Sequence, residues 1–193
     1  ITSGFVPDGN TADYATLFAD PVELLGLAQQ TFNLSDAQAQ QRLARLAELD
    51  AVDAPLAARP GGLAASAHVL ACARLAAAAD EEVADRAFFE EDYVEAIGHF
   101  TLVPGSTISA ERLVELDAAA AGFCADIAEA ALAELPTSMA EDEALLADAI
   151  AGCDAKEEVE RSASERLALA LRYRLGFKQL LNDFAAVCRQ AGV

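Results

Sequence analysis

The chain is poor in the features that mark a catalytic site, a metal site or a membrane span. It has no GxSxG, P-loop, GxGxxG or HExxH. That leaves no nucleophile elbow, phosphate cradle, dinucleotide fingerprint or two-histidine zinc helix. Its four cysteines, Cys72, Cys124, Cys153 and Cys188, form no CxxC, so a structural zinc site is not expected. No run of eighteen apolar residues is free of charge, so no membrane partner is expected. The first residues carry no basic stretch ahead of an apolar one, so a secretory signal is not expected there. Basic residues are scarce: 13 Lys and Arg stand against 32 Asp and Glu, a net charge of −19. Nucleic acid is therefore not an expected partner, because phosphate binding needs clustered Lys and Arg.

Apolar residues, in contrast, make up 54% of the 193, enough for a core in one domain or one domain with a small appendage. Cys72 and Cys124 sit in Ala-rich apolar runs and read as buried thiols, which suits a reducing, intracellular compartment. The acidity has two readings, a solvated surface or attraction to a basic protein or tail. It is uneven. Residues 161–193 carry +4, through Arg161, Arg166, Arg172, Arg174, Lys178 and Arg189 against Glu165 and Asp183, which leaves −23 on the rest. The most acidic stretch is DEEVADRAFFEED at 80–92. An acidic body docked on a basic terminal helix accounts for this asymmetry.

Most of the chain has helical spacing. Residues 1–17 are the exception: Ile1, Phe5, Val6 and Leu17 are β-compatible, and PDGN at 7–10 is turn chemistry. Asp20-Pro21 reads as an N-cap and a first-turn proline. Ser35 and Asp36 open a second helix, with Leu43, Ala44 and Leu46 expected on one face. ARPGG at 58–62 breaks the chain. GLAASAHVLACARLAAAA at 62–79 is apolar nearly all round and predicts a central buried helix, with a second helical piece running on to about residue 89. After a loop at 101–109, Ser109 caps a long helix to about residue 135, where Pro136 ends it. Ser138 to Glu141 makes a capping box, and Ser162 to Glu165 resembles another ahead of a final helix. That last helix is expected to bury Leu167, Leu171, Leu175, Leu180 and Phe184.

Candidate chemistry is thin. His68 lies in an apolar helix and fits a core or boundary position better than a catalytic one. His99 precedes a loop with no nucleophile nearby in sequence. Glu90, Glu91 and Asp92 fit a solvated charge run better than a metal site. Composition and spacing alone define an acidic helical domain suited to binding.

Three stretches carry more. PTSMAEDEALLADA at 136–149 is followed by SERLALALRYRLGFKQLL at 164–181, and the chain opens with SGFVPDGNTADYATL at 3–17. Together they resemble the Rubisco large-subunit methyltransferase-like branch of SET-domain enzymes. In that branch a split SET domain is followed by a helical domain, the Rubisco LSMT substrate-binding domain. ARPGGLAASAHVLACARLAAAADEEVADRAF at 58–88 takes the place of the family's inner helix and acidic follower, and ISAERLVELDAAAAGF at 108–123 that of its long helix. Thr137, Ser138, Glu141 and Asp142 fall on a TT-x-EED pattern, and Arg166, Arg174 and Lys178 on the basic positions of the last helix. Phe177 departs from the pattern by standing where the family often has Glu. Ser3 stands where the Rubisco enzyme has Tyr.

The resemblance implies a mostly α fold, a helical bundle-like substrate-binding domain at 18–193, preceded by a short extended and turn segment, 1–17, that ends a SET domain. It implies a parent enzyme that moves a methyl group from S-adenosylmethionine to a protein side chain, lysine or histidine. Ser3, Gly4 and Phe5 become the cofactor-binding candidates, since Gly permits close backbone approach and Phe offers an aromatic wall. The plainer alternative for Phe5 is a core residue at a strand end, and Asn10 and Asp13 read as turn-formers. The family's Asn-His motif and catalytic Tyr belong upstream, so no catalytic residue is assigned and this segment alone is expected to be inactive. Its strand and turn are expected to find their partners upstream. The implied partner is a protein substrate, with a basic segment favoured by charge, in an intracellular compartment, plastid or cytoplasm. A non-catalytic helical interaction module is the alternative.

Overall fold

The computed structural model describes residues 15–18, 20–48, 56–59, 67–85, 106–153 and 158–191. Among these are strand β1 (Ala15–Phe18), helices α1 (Pro21–Phe32) and α2 (Asp36–Glu48), strand β2 (Leu56–Ala58), and helices α3 (Ala67–Ala77), α4 (Ala110–Ala133), α5 (Met139–Cys153) and α6 (Glu158–Ala191). The fold is mostly α, as the spacing predicts.

Helix starts follow their caps. The Asp20 carboxylate accepts from the Glu23 amide at 2.9 Å with Pro21 behind it, and α1 closes on Asn33 in the left-handed conformation. Ser109 Oγ accepts from the Arg112 amide at 3.2 Å at the head of α4. At α5 the box is reciprocal: the Ser138 amide donates to Glu141 at 2.7 Å, and Ser138 Oγ accepts from the Glu141 amide at 3.2 Å.

The main core lies where α1, α3, α4, the C-terminal half of α6 and the strand pair meet. Phe123 is its centre, stacked on Phe18 at 6.2 Å between ring centroids and tilted against Phe32 at 5.5 Å. Cys72, Cys124 and Cys188, one each from α3, α4 and α6, are buried in it. Burial pushes the Cys72 and Cys188 thiols up to about 12. It pushes Cys124 higher than its ordinary value as well, with Cys188 and Cys72 adding to the shift. These thiols stay protonated and inert.

Helix α6 has 34 residues, about 50 Å of length, and outruns this core. Its C-terminal half buries Leu180, Leu181, Phe184 and Cys188 in the main core. Its N-terminal half meets α5 in a separate, narrow seam of Ala149, Ala168 and Leu171, with half-buried Leu146 alongside. The two helices form an arm, one layer deep.

Several expectations are corrected. Residues 1–17 are not the only extended part: β1 pairs antiparallel with β2, Ala15 opposite Ala58. Ala15 and Phe18 are buried by that pairing and the helices, while the strand and turn expected at 1–13 to find their partners upstream lie outside the described residues. Ala44 is exposed, because Arg42 takes the inward place between Ala39 and Leu46. Residues 80–84 are turns rather than helix, closed by bonds such as Asp85 N to Glu82 O at 2.8 Å. Ser162 is no cap, since α6 already runs from Glu158. Leu167 is 51% exposed, because Ala168 and Leu171 fill the seam one residue and one turn further on.

Candidate functional site

The fold concentrates its polar contacts in clusters that join elements. In the first, Arg42 of α2 is buried against the end of α3. Its guanidinium donates to the Ala76 carbonyl at 3.3 Å, the Gln38 carbonyl at 3.0 Å and Asp80 at 3.1 Å, and also to the Ala78 carbonyl. It thereby satisfies carbonyls that a helix end leaves open. Glu82 takes Arg112 in a two-pronged pair at 2.7 and 3.0 Å, and Asp85 accepts from the Thr107 amide and hydroxyl at 2.7 Å each. Asp80, Glu82 and Asp85 of the acidic 80–92 stretch are thus engaged within the domain. Arg74, the one cation of α3, is buried and pairs with Asp117 of α4. Burial raises the Asp117 carboxyl, against the pull of Arg74.

The second cluster forms the root of the arm. Asp142, on the first turn of α5, is 0% exposed and Lys178 of α6 is 2% exposed. The Asp142 carboxylate accepts from Lys178 Nζ at 2.7 Å, Arg174 Nε at 2.8 Å and the Thr137 hydroxyl at 2.7 Å, and also from Arg174 Nη2. Lys178 Nζ further donates to Thr137 Oγ1 at 3.1 Å, to the Ser138 carbonyl at 3.2 Å and to the Thr137 carbonyl. Burial would raise the Asp142 carboxyl, but the hydrogen bonds from Arg174, Lys178 and Thr137 outweigh it and hold it well below the usual carboxylate range. With the Asp142 carboxylate and the Lys178 ammonium fully engaged, this cluster is a clamp that orients α5 against α6.

The clamp gathers most of the motif residues. Thr137, Asp142, Arg174 and Lys178 meet in it, and Ser138 and Glu141 cap the helix beside it. Arg166 stands apart, donating to the Ser162 carbonyl at 3.1 Å on an exposed turn of α6. Phe177 packs half-buried against the main core, which explains how an apolar residue serves at its position. Further along α6, Arg189 pairs with Asp126 and with Glu129 at 2.8 Å, so the basic terminal helix does dock on acidic residues of the body. Spacing reasoning missed Arg42 and Arg74. Each occupies an apolar position of its helix, and that placement was the available signal.

The candidate cofactor residues Ser3, Gly4 and Phe5 lie outside the described residues, as do His99, Glu90, Glu91, Asp92 and the side chain of His68. Among the described residues, no group of three His, Cys, Asp or Glu side chains is arranged to hold a metal ion, and no helix is long and apolar enough to cross a membrane.

What the arm offers instead is surface. Of the seven large apolar side chains exposed among the described residues, Leu145, Ile150, Leu167 and Tyr173 belong to α5 and the N-terminal half of α6. A helical domain with a clamped, outward-facing arm has the form of a binding module. The model of the Rubisco LSMT substrate-binding family matches residues 33–181, which takes in the arm, the clamp and most of the core. The chain belongs to that family. No curated protein and no solved structure matches it.

Proposed function

We propose that this chain is the protein-substrate-binding portion of an S-adenosylmethionine-dependent protein methyltransferase of the SET type. The observation that carries the reading is the family match across the clamped arm, with the motif residues Thr137, Asp142, Arg174 and Lys178 meeting at one point. The cofactor, when bound, supplies the methyl group. This chain's helices hold the protein carrying the acceptor side chain. Such a reaction gains most from positioning, so a rigid holding surface is a catalytic asset even without a reactive group. Residues 1–17 read as the end of the SET domain, and Ser3, Gly4 and Phe5 as its contribution to the cofactor wall. The acidity favours a substrate rich in Lys and Arg.

The coding sequence upstream of Ile1 tests the reading. A split SET domain with its Asn-His motif and Tyr supports it, and a stop codon immediately before Ile1 overturns it. Methyl transfer from radiolabelled S-adenosylmethionine by the 193-residue chain alone would also overturn the division of labour proposed.

A further inference from the structure

Helix α5 has a composition at odds with its position. Ten of its 15 residues are apolar, and they are spread all round the helix. A helix of that kind is normally buried on all sides. Yet only Asp142 and Ala149 of α5 are buried. With a 3.6-residue period, Asp142, Leu146, Ala149 and Cys153 turn toward α6. The opposite face has Ala144, Ala147 and Ala151 at its centre and Glu143 and Asp148 to either side, while Leu145 and Ile150, each 44% exposed, flank the α6 seam. Neither Glu143 nor Asp148 has a partner among the described residues, whereas Asp142 is held by three side chains.

We infer that the outward face of α5 is a docking surface for a basic amphipathic helix, with large apolar side chains set over the Ala-lined centre and Lys or Arg reaching Glu143 and Asp148. This rests on the substrate-binding reading above and gives it a location and a partner chemistry. Charge selects the occupant. Two copies of this face would bring Glu143 and Asp148 against carboxylates of their own kind. The chain's own segments outside the described residues carry ten Asp and Glu against Arg86 and Lys156, so they too have the wrong sign. The small alanine side chains let a second helix approach closely, and the clamp at Asp142 keeps the face presented.

The test uses the full 193-residue chain and a fluorescent synthetic helix with Leu on one face and Lys on the other, followed by anisotropy. Glu143→Lys with Asp148→Lys should weaken binding by about tenfold or more, and Ala144→Gln with Ala151→Gln, which fills the centre of the face, should do the same. Glu81→Lys with Glu115→Lys makes the same change in charge at the opposite end of α4 and should cost less than about twofold. Circular dichroism of each variant separates lost binding from lost folding. Equal loss in the control pair would overturn the inference, since attraction would then be to the whole charge of the molecule. So would a dimer in sedimentation that Ala144→Gln with Ala151→Gln abolishes, or a probe at Ala147→Cys that is already shielded in the free chain. If a protein substrate is captured as well by the Glu143→Lys, Asp148→Lys chain as by wild type, the substrate-binding reading survives and only its placement on α5 fails.

Discussion

The two ends of α6 lie in opposite environments, and the contrast is instructive. At its C-terminal end the helix is one wall of a core several elements deep, closed by Phe123, Leu181 and Cys188. At its N-terminal end it shares a thin seam with one other helix, and an ionic clamp supplies what apolar burial does not. The core is stabilised without regard to direction, because apolar burial is non-directional. The arm is held by directional bonds that fix one orientation. A surface that must meet a partner in a defined pose is better served by the second arrangement. The four thiols report on the two regions separately: Cys72, Cys124 and Cys188 lie in the core, and half-buried Cys153, its thiol donating to the Ala149 carbonyl at 3.2 Å, lies in the arm.

The largest test of the contrast is Phe123→Ala. It removes the ring that Phe18 and Phe32 pack against and should cost about 4 kcal/mol. Because the core supports both ends, all four thiols should label faster with a thiol reagent, and the urea midpoint should fall. Labelling confined to Cys153 would show the core to be less unified than its contacts indicate.

Asp142→Ala comes next. It strands Lys178 and Arg174, and breaking a buried pair from one side typically costs several kcal/mol. Here the carboxylate is closed off by its partners rather than by depth of protein, so the lower end, about 3 kcal/mol, is expected. The loss should fall on the arm alone: Cys153 should label faster and α5 amides exchange faster, while Cys72, Cys124 and Cys188 stay protected. Uniform exposure of all four would remove the distinction between core and arm.

Acid should separate the regions in the same order. A carboxylate held below its unfolded value of about 3.9 adds stability above that pH and loses it as pH falls through the folded value. Asp142 is of this kind, so the clamp weakens on acidification below about pH 4. Asp117, between α3 and α4, is shifted upward by burial, so it costs stability at neutral pH and the cost is relieved as pH falls. Glu82 and Glu129 are shifted downward by their Arg112 and Arg189 partners, but near the surface, where such pairs are worth little. Labelling of Cys153 should therefore rise at a higher pH than labelling of the core thiols, read by short pulses at matched reagent reactivity. Simultaneous exposure would contradict the two signs.

The sequence made some of this contrast legible. Asp20-Pro21, Ser109 and the Ser138 box announced their helices, because caps are local chemistry within a few residues. The apolar run at 62–79 announced a buried helix because Arg74 is its one Lys or Arg and it holds no Asp or Glu. The resemblance put Asp142, Arg174 and Lys178 on motif positions, and the uneven charge pointed to a basic helix on an acidic body. The rest was set by tertiary contact. Leu167 has a core residue's chemistry, but α6 outruns the core at that point. Strand β2 is three residues long and becomes a strand only against β1. Arg42 goes inward because the carbonyls of Ala76 and Ala78, at the end of α3, wait there.

The smallest prediction is the sharpest, because it makes one chemical change in each region. Ser109 and Ser138 are both N-caps whose hydroxyl accepts an amide at 3.2 Å. Changing either to Ala removes one cap bond and should cost about 1 kcal/mol of helix stability. The consequences should differ. Helix α4 is woven into the core through Leu116, Phe123 and Cys124, so its N-terminus cannot fray without disturbing neighbours. Ser109→Ala should therefore lower the global unfolding midpoint. Among the described elements, helix α5 leans chiefly on α6 through its narrow seam, so Ser138→Ala should leave that midpoint nearly unchanged while α5 amides exchange about fivefold faster. If the two substitutions shift the global midpoint equally, the arm unfolds with the core as one unit, and the clamp at Asp142 couples the regions rather than dividing them.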